Sequence, residues 1–164
     1  MDLGLLHLHN FLRWVILLLL VAAIIKSLAG MSSNKPFTSG DKKLGTFLMV
    51  SAHIMLLVGL YQVLAGRYGI FTSVRPDAAS LSLMEDKFYR FFWIEHPVSM
   101  IIAIILITVG RRQSKKNITD GAKHRKTFWF YFIALILIFV AVPWPFREVV
   151  ARPWFPGMSV PAAG

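Results

Sequence analysis

The chain has 164 residues, 56% of them hydrophobic, and its mean hydropathy of +0.61 places it with membrane proteins rather than soluble domains. Because cysteine is absent, disulfides, thiolate metal sites and cofactors attached through cysteine are excluded. The formal net charge is +10, but the basic residues concentrate in loops 26–43 and 111–126. That distribution indicates membrane topology, with contact to anionic lipid, and argues against a nucleic-acid partner.

Four apolar stretches predict transmembrane helices, and they span residues 5–27, 44–66, 89–110 and 127–146. Each is close to the ~20 residues that a helix needs to cross ~30 Å of hydrocarbon. A spanning segment must satisfy its own backbone hydrogen bonds, and a helix does so where a short strand cannot. We therefore predict one all-α domain over residues 1–164, a polytopic membrane protein with a four-transmembrane-helix up-down bundle.

The first apolar stretch is predicted to be a retained span rather than a signal peptide. Asp2 stands where a signal peptide has basic residues, and His7 and His9 interrupt the start of the run. The two basic loops alternate with the nearly balanced loop 67–90, so the positive-inside rule places both termini outside.

Two connecting segments carry further expectations. A turn at Arg75-Pro76-Asp77 leads into residues 78–92, where apolar and charged residues mix as in an interfacial helix. After Pro143-Trp144-Pro145 the fourth helix must stop, because proline lacks a donor and clashes with the preceding turn. We expect the tail, residues 147–164, to be an extracytoplasmic segment at the outer interface.

Three histidines, His9, His53 and His96, lie inside the predicted spans. Polar side chains are costly in hydrocarbon, which makes each of them a candidate functional residue, and imidazole is the usual axial ligand of haem iron. By helix rise, His9 and His96 lie at depths that agree within roughly 5 Å, on helices that are diagonal in an up-down bundle. His53 lies nearer the middle of the membrane and could pair with His96 if the third helix bends at Pro97.

Arg13 follows His9 by four residues and so shares its helix face. A buried arginine needs a partner. Three remain open: Glu95 at a compatible depth, a haem propionate and a quinone oxygen. In the structural alternative, an Arg13–Glu95 pair simply holds the first helix against the third.

Several other residues carry weaker expectations. His7 points away from His9, roughly 200° around the helix. His124 precedes the fourth helix in a basic loop, where a solvated side chain is expected. Gly45, Gly59 and Gly66 on the second helix would allow close helix approach or leave room for a porphyrin.

Five short motifs of this chain together resemble those of a known group of proteins. The motifs are Leu6-His7-x-His9 with Arg13, Ala52-His53, Glu95-His96 with Met100, Lys123-His124 and Pro143-Trp144-Pro145-Phe146. Over nearly its whole length the chain resembles small four-helix bacterial membrane proteins labelled "cytochrome B". It is similar more broadly to bacterial four-helix b-type cytochromes that move electrons between quinones and other carriers. The resemblance implies haem b, axial ligation at His9, His53 or His96, and a place in the bacterial inner (cytoplasmic) membrane.

Three functions remain open at this point. The first is a membrane b-type cytochrome, or cytochrome-like respiratory subunit, carrying electrons between quinone and a partner redox protein. The second is a haem-free accessory subunit of a larger membrane complex, whose polar residues form interhelical hydrogen bonds. The third, a proton-conducting or transport subunit using Glu95, His96 and His53, lacks the paired broken helices of transporters. A stand-alone enzyme is not expected, since carboxylates are few and no nucleophile–base pair or phosphate-binding loop is present.

Overall fold

The all-α prediction is confirmed. A computed structural model describes residues 2–72 and 82–158, and these ranges contain helices and no strand. The elements are α1 (Asp2–Ser32), α2 (Ser39–Ala65), α3 (Lys87–Arg90), a π-helical turn (Phe91–Glu95), α4 (His96–Gln113) and α5 (Asp120–Ala141).

Within the described ranges, four segments are long and apolar enough to cross a membrane, and they are Leu3–Ser32, Ser39–Ala65, Lys87–Gln113 and Asp120–Ala141. The third consists of α3, the π-helical turn and α4, which follow one another without a break. Large apolar side chains point outward from the bundle, with Leu18 70% and Leu57 69% exposed. Such a surface suits lipid rather than water, so the fold is that of a multi-pass membrane protein.

The helices begin earlier than predicted wherever a cap is available. α2 starts at Ser39 because Thr38 and Asp41 form a capping box, in which each side chain bonds the other residue's backbone N–H. α5 starts at Asp120, and the Thr119 side chain accepts from Ala122 N. These polar turns extend the helices past the apolar stretches that identify them.

The fourth span ends earlier than predicted. α5 stops at Ala141 rather than at residue 146, since Val142 is extended with ψ 134°. The residue before a proline is disfavoured in helical geometry, and Pro143 follows Val142 directly.

The predicted interfacial helix is found in part, since residues 82–86 form turns and residues 87–92 are helical. The turn at Arg75-Pro76-Asp77, residues 78–81 and tail residues 159–164 lie outside the described ranges. The Asp86 side chain accepts from Phe88 N and Tyr89 N and starts α3, which continues into the third of the segments apolar enough to span a membrane.

The four spans form a bundle in which α1 and α4 stand at opposite corners. Each of these two helices packs against both α2 and α5. Leu20, Leu48, Ile107 and Tyr131, one from each span, are fully buried where the helices meet. We call the end that holds His9 and His96 the histidine end, and the end that holds loops 33–38 and 114–119 the basic end.

Residues 142–158 fold back over the histidine end. Trp144 is buried in the core, and the Trp14 indole N–H donates to the Trp154 carbonyl at 2.7 Å. Phe155 stacks on Trp14 with ring centroids 5.4 Å apart. The tail therefore covers the side of the bundle where α5 is short.

Candidate functional site

A pair of histidines spans the diagonal of the bundle at the histidine end. The His9 ring on α1 and the His96 ring at the start of α4 have centroids 6.2 Å apart and planes inclined at 58°. Both rings are partly buried. The structure thus brings together the two histidines whose depths agree in the sequence.

The backbone before His96 is unusual for a spanning helix. Phe91–Glu95 form a π-helical turn, in which His96 N–H donates to the Phe91 carbonyl five residues back. Pro97 follows, and its nitrogen has no hydrogen to donate to the preceding turn. Single π turns are frequent at functional sites, and this one directly precedes a candidate ligand.

The early end of α5 orients His96. The last carbonyls of a helix have no partner within the helix, and the Ala141 carbonyl is one of them. It lies 2.8 Å from His96 Nδ1. A carbonyl oxygen only accepts, so this contact makes Nδ1 the protonated nitrogen and leaves Nε2 with a free lone pair. Histidines that bind metals are commonly oriented by such a contact.

His9 sits directly against α2 because residue 59 is glycine. A Cβ at Gly59 would lie 3.3 Å from His9 Cε1, which is tighter than an ordinary contact. His9 Nδ1 is buried without a hydrogen-bond partner, and so is Gln62 Nε2, one turn along α2 from Gly59. A buried polar atom without a partner is costly and marks a place where a ligand or water belongs.

The pair supplies two imidazoles whose ring centroids lie 6.2 Å apart. Imidazole is the usual ligand of haem iron, so His9 and His96 are the residues that would hold a haem here. Within residues 2–72 and 82–158 no group of three or more His, Asp or Glu side chains could hold a metal ion. A haem brings its own macrocycle nitrogens, so two histidines suffice for it.

Arg13 is buried one turn from His9, and Glu95, one of the three partners left open by the sequence, is not among its contacts. Its Nη2 contacts Asn10 Oδ1 at 2.7 Å, the Pro153 carbonyl at 3.1 Å and the Trp154 carbonyl at 2.7 Å. Glu95 is exposed and instead pairs with Arg90 at 2.8 Å. Arg13 therefore ties the tail to α1, and the positive charge near the histidines faces neutral oxygens rather than a carboxylate.

His53 is not brought to the pair. Its ring is exposed on α2, and Nδ1 contacts the Met49 carbonyl of the preceding turn at 2.8 Å. Since a carbonyl accepts, Nε2 is again the nitrogen with a lone pair, but here it belongs to the outer surface of the bundle. A pairing of His53 with His96 is not observed.

His124 corrects the expectation of a solvated side chain. It is 2% exposed, and both ring nitrogens are buried without partners. Its ring packs on Phe37 with centroids 4.8 Å apart and occupies the space that a side chain at Gly30 would fill. The missed signal is Gly30, a glycine near the end of α1 that leaves room for a ring on the neighbouring helix.

A polar cluster lies at the basic end, remote in sequence from the histidine pair. Arg111 Nε donates to Thr46 Oγ1 at 2.8 Å, and its Nη1 donates to Ser114. A Cβ at Gly45 would lie 2.8 Å from Tyr131 Oη, so the predicted close approach at this glycine is observed. A cavity of about 10 Å³, close to the size of one water, adjoins Tyr131 and Arg111.

Comparison of the chain with protein-family models, with curated proteins and with solved structures found no match.

Proposed function

We propose that this chain is a membrane b-type cytochrome, or cytochrome-like respiratory subunit, that carries electrons between quinone and a partner redox protein. The observation that carries the proposal is the 6.2 Å separation of His9 and His96 across the bundle diagonal. Two histidines would fill both axial positions of one haem b, and that ligation favours electron transfer over oxygen chemistry. The bound haem would supply the one-electron step.

The surrounding residues have separate roles in this proposal. The Ala141 carbonyl holds the His96 ring with Nε2 free, and Gly59 lets His9 lie against α2. The buried charge of Arg13 favours the electron-rich state of a nearby redox centre. The tail, which contacts Arg13 and Trp14 about one turn from His9, would limit the access of water at this end of the bundle.

The resemblance to small bacterial "cytochrome B" proteins supports a place in the bacterial inner membrane. The positive-inside rule would put the basic end in the cytoplasm and the histidine end, with both termini, outside. A quinone at the histidine end would then exchange electrons close to the outer face.

A second candidate function, a haem-free accessory subunit of a larger membrane complex, is favoured by His53. This residue lies fourteen positions from Ser39 and twelve from Ala65, and so near the middle of α2, where its ring is exposed. An imidazole facing hydrocarbon at that depth is costly, and a neighbouring subunit would relieve the cost.

The test is a reduced-minus-oxidised visible spectrum of the detergent-purified protein with pyridine haemochrome quantification. We expect b-type bands at about one haem per chain. His9→Leu and His96→Leu should each lower haem content by at least about tenfold, since ligand and second-shell losses weaken metal binding by roughly 10–100-fold. His53→Leu is the matched control and should retain the spectrum, because its ring lies outside the pair.

Two results would contradict the haem assignment. A monodisperse protein that stays colourless after haem supplementation would leave the accessory subunit as the better description. A spectrum lost with His53→Leu and kept with His9→Leu would show that haem binds elsewhere on the chain.

A further inference from the structure

A groove lies on the outer surface of α5, close to the basic end. Its lining residues are Arg125, Lys126, Trp129, Phe130 and Ile133, and its volume is about 360 Å³. The spacing of these positions places them on one face of the helix. The groove starts at the end of the bundle opposite the histidine pair, and the proposed electron transfer does not involve it.

Among the described residues, no ion pair joins either cation of the groove to an acidic side chain. Arg125 and Lys126 are exposed, and the ion pairs described at this end join Lys26 to Asp41 and Lys123 to Asp120. In loop 111–126, Asp120 is the one acidic residue against seven basic ones. Because Asp120 already contacts Lys123, the described part of the chain leaves the positive charge of Arg125 and Lys126 to attract an anion.

The part of the groove that is further from the basic end is apolar and exposed. Trp129 is 54% exposed, and Ile133 is 44% exposed. At 1.5 Å per residue, Ile133 lies about 12 Å further along the helix than Arg125, in the direction of the bundle centre. The groove therefore changes along its length from two cations to an indole ring and then to aliphatic surface.

This sequence of cations, indole ring and aliphatic surface matches the headgroup, the interfacial region and the acyl chain of one phospholipid with an anionic headgroup. We propose that the groove is a binding site for such a lipid, with the phosphate beside Arg125 and Lys126 and an acyl chain along Trp129 and Ile133. Basic pockets beside membrane helices bind acidic headgroups, and tryptophan favours the level between headgroup and chain. The charge of the site selects the lipid, while the apolar wall holds its chain.

The test uses quenching of tryptophan fluorescence by lipids with brominated acyl chains. The full chain is placed in phosphatidylcholine vesicles that contain either brominated phosphatidylglycerol or brominated phosphatidylcholine at equal mole fraction. The Trp129 signal is the difference between the parent protein and Trp129→Phe. We expect roughly tenfold enrichment of the anionic lipid beside Trp129, since each basic side chain near the surface adds to the attraction.

Two charge variants test whether the enrichment of anionic lipid beside Trp129 depends on the cations of the groove. Arg125→Gln with Lys126→Gln should reduce quenching by the anionic lipid to that of phosphatidylcholine. Lys115→Gln with Lys116→Gln removes the same charge from exposed positions of the same loop outside the groove, and should leave the enrichment unchanged.

Equal quenching of Trp129 by the two brominated lipids would overturn the proposal. Equal loss of enrichment in both charge variants would also overturn it, because the basic end as a whole would then attract lipid without a defined site. Circular dichroism of each variant confirms that the helices are retained.

Discussion

The contact between Gly30 and His124 gives a sharp test of how α1 and α5 pack at the basic end. A Cβ at residue 30 would lie 2.4 Å from His124 Cε1 and Nε2 and 2.5 Å from Nδ1. Ordinary carbon contacts are about 3.5–4.0 Å, so Gly30→Ala requires the ring to move by about 1 Å or more. The ring is 2% exposed and packed on Phe37, which leaves it little space.

Two opposing effects determine how Gly30→Ala changes the free energy of unfolding. Alanine in place of glycine stabilises a helix by up to about 1 kcal/mol. Insertion of a methyl group into a packed site costs about 1–3 kcal/mol. We expect the clash to win and the free energy of unfolding to fall by about 1–2 kcal/mol.

The assay is reversible unfolding in mixed micelles, followed by circular dichroism. Gly4→Ala is the matched control, because it makes the same change in the same helix where nothing lies within 4 Å. Its free energy of unfolding should stay the same or rise by up to about 1 kcal/mol, because only the gain in helix propensity remains. In a double variant with His124→Ala the clash is absent, so the two changes should be non-additive by about 1–3 kcal/mol.

Gly30→Ala as stable as Gly4→Ala would refute this description of the contact. Strict additivity with His124→Ala would refute it equally, because the two residues would then not be neighbours.

Two further predictions concern the histidine end. Gly59→Val should displace the His9 ring, because even a Cβ at this position would lie 3.3 Å from His9 Cε1. The haem content should then fall by about tenfold or more. A haem content per chain equal to that of the parent protein would contradict the proposed site. Arg13→Met removes the contacts to Asn10 and to the Pro153 and Trp154 carbonyls, and should raise the rate of chymotrypsin cleavage at Trp154 by about tenfold. A cleavage rate that does not change would mean that Arg13 does not hold the tail.

The number and approximate place of the spans were predictable, because length and hydropathy are local properties of a chain. The same holds for the depths of His9 and His96, which follow from their positions along the helices at a fixed rise per residue. The end of α5 was predictable only in part. Pro143 indicated a stop, but the structure ends the helix at Ala141, and that difference supplies the carbonyl that orients His96.

The direction in which each side chain faces was not predictable. Helices that are apolar on all sides have no polar face to indicate which side is buried, so rotation about the helix axis depends on packing. His53 and His124 show this in opposite ways, since the residue expected near the site is exposed and the residue expected in solvent is buried.

The sequence by itself determined an all-helical membrane chain with four spans, a basic end and two histidines at matching depth. Only the tertiary structure decided that these two histidines meet, that Arg13 contacts the tail rather than Glu95, and that Gly30 makes room for His124. The reason is that depth and hydropathy follow from residue positions within a single helix. Each of these contacts depends instead on how two helices are rotated and how far apart they lie.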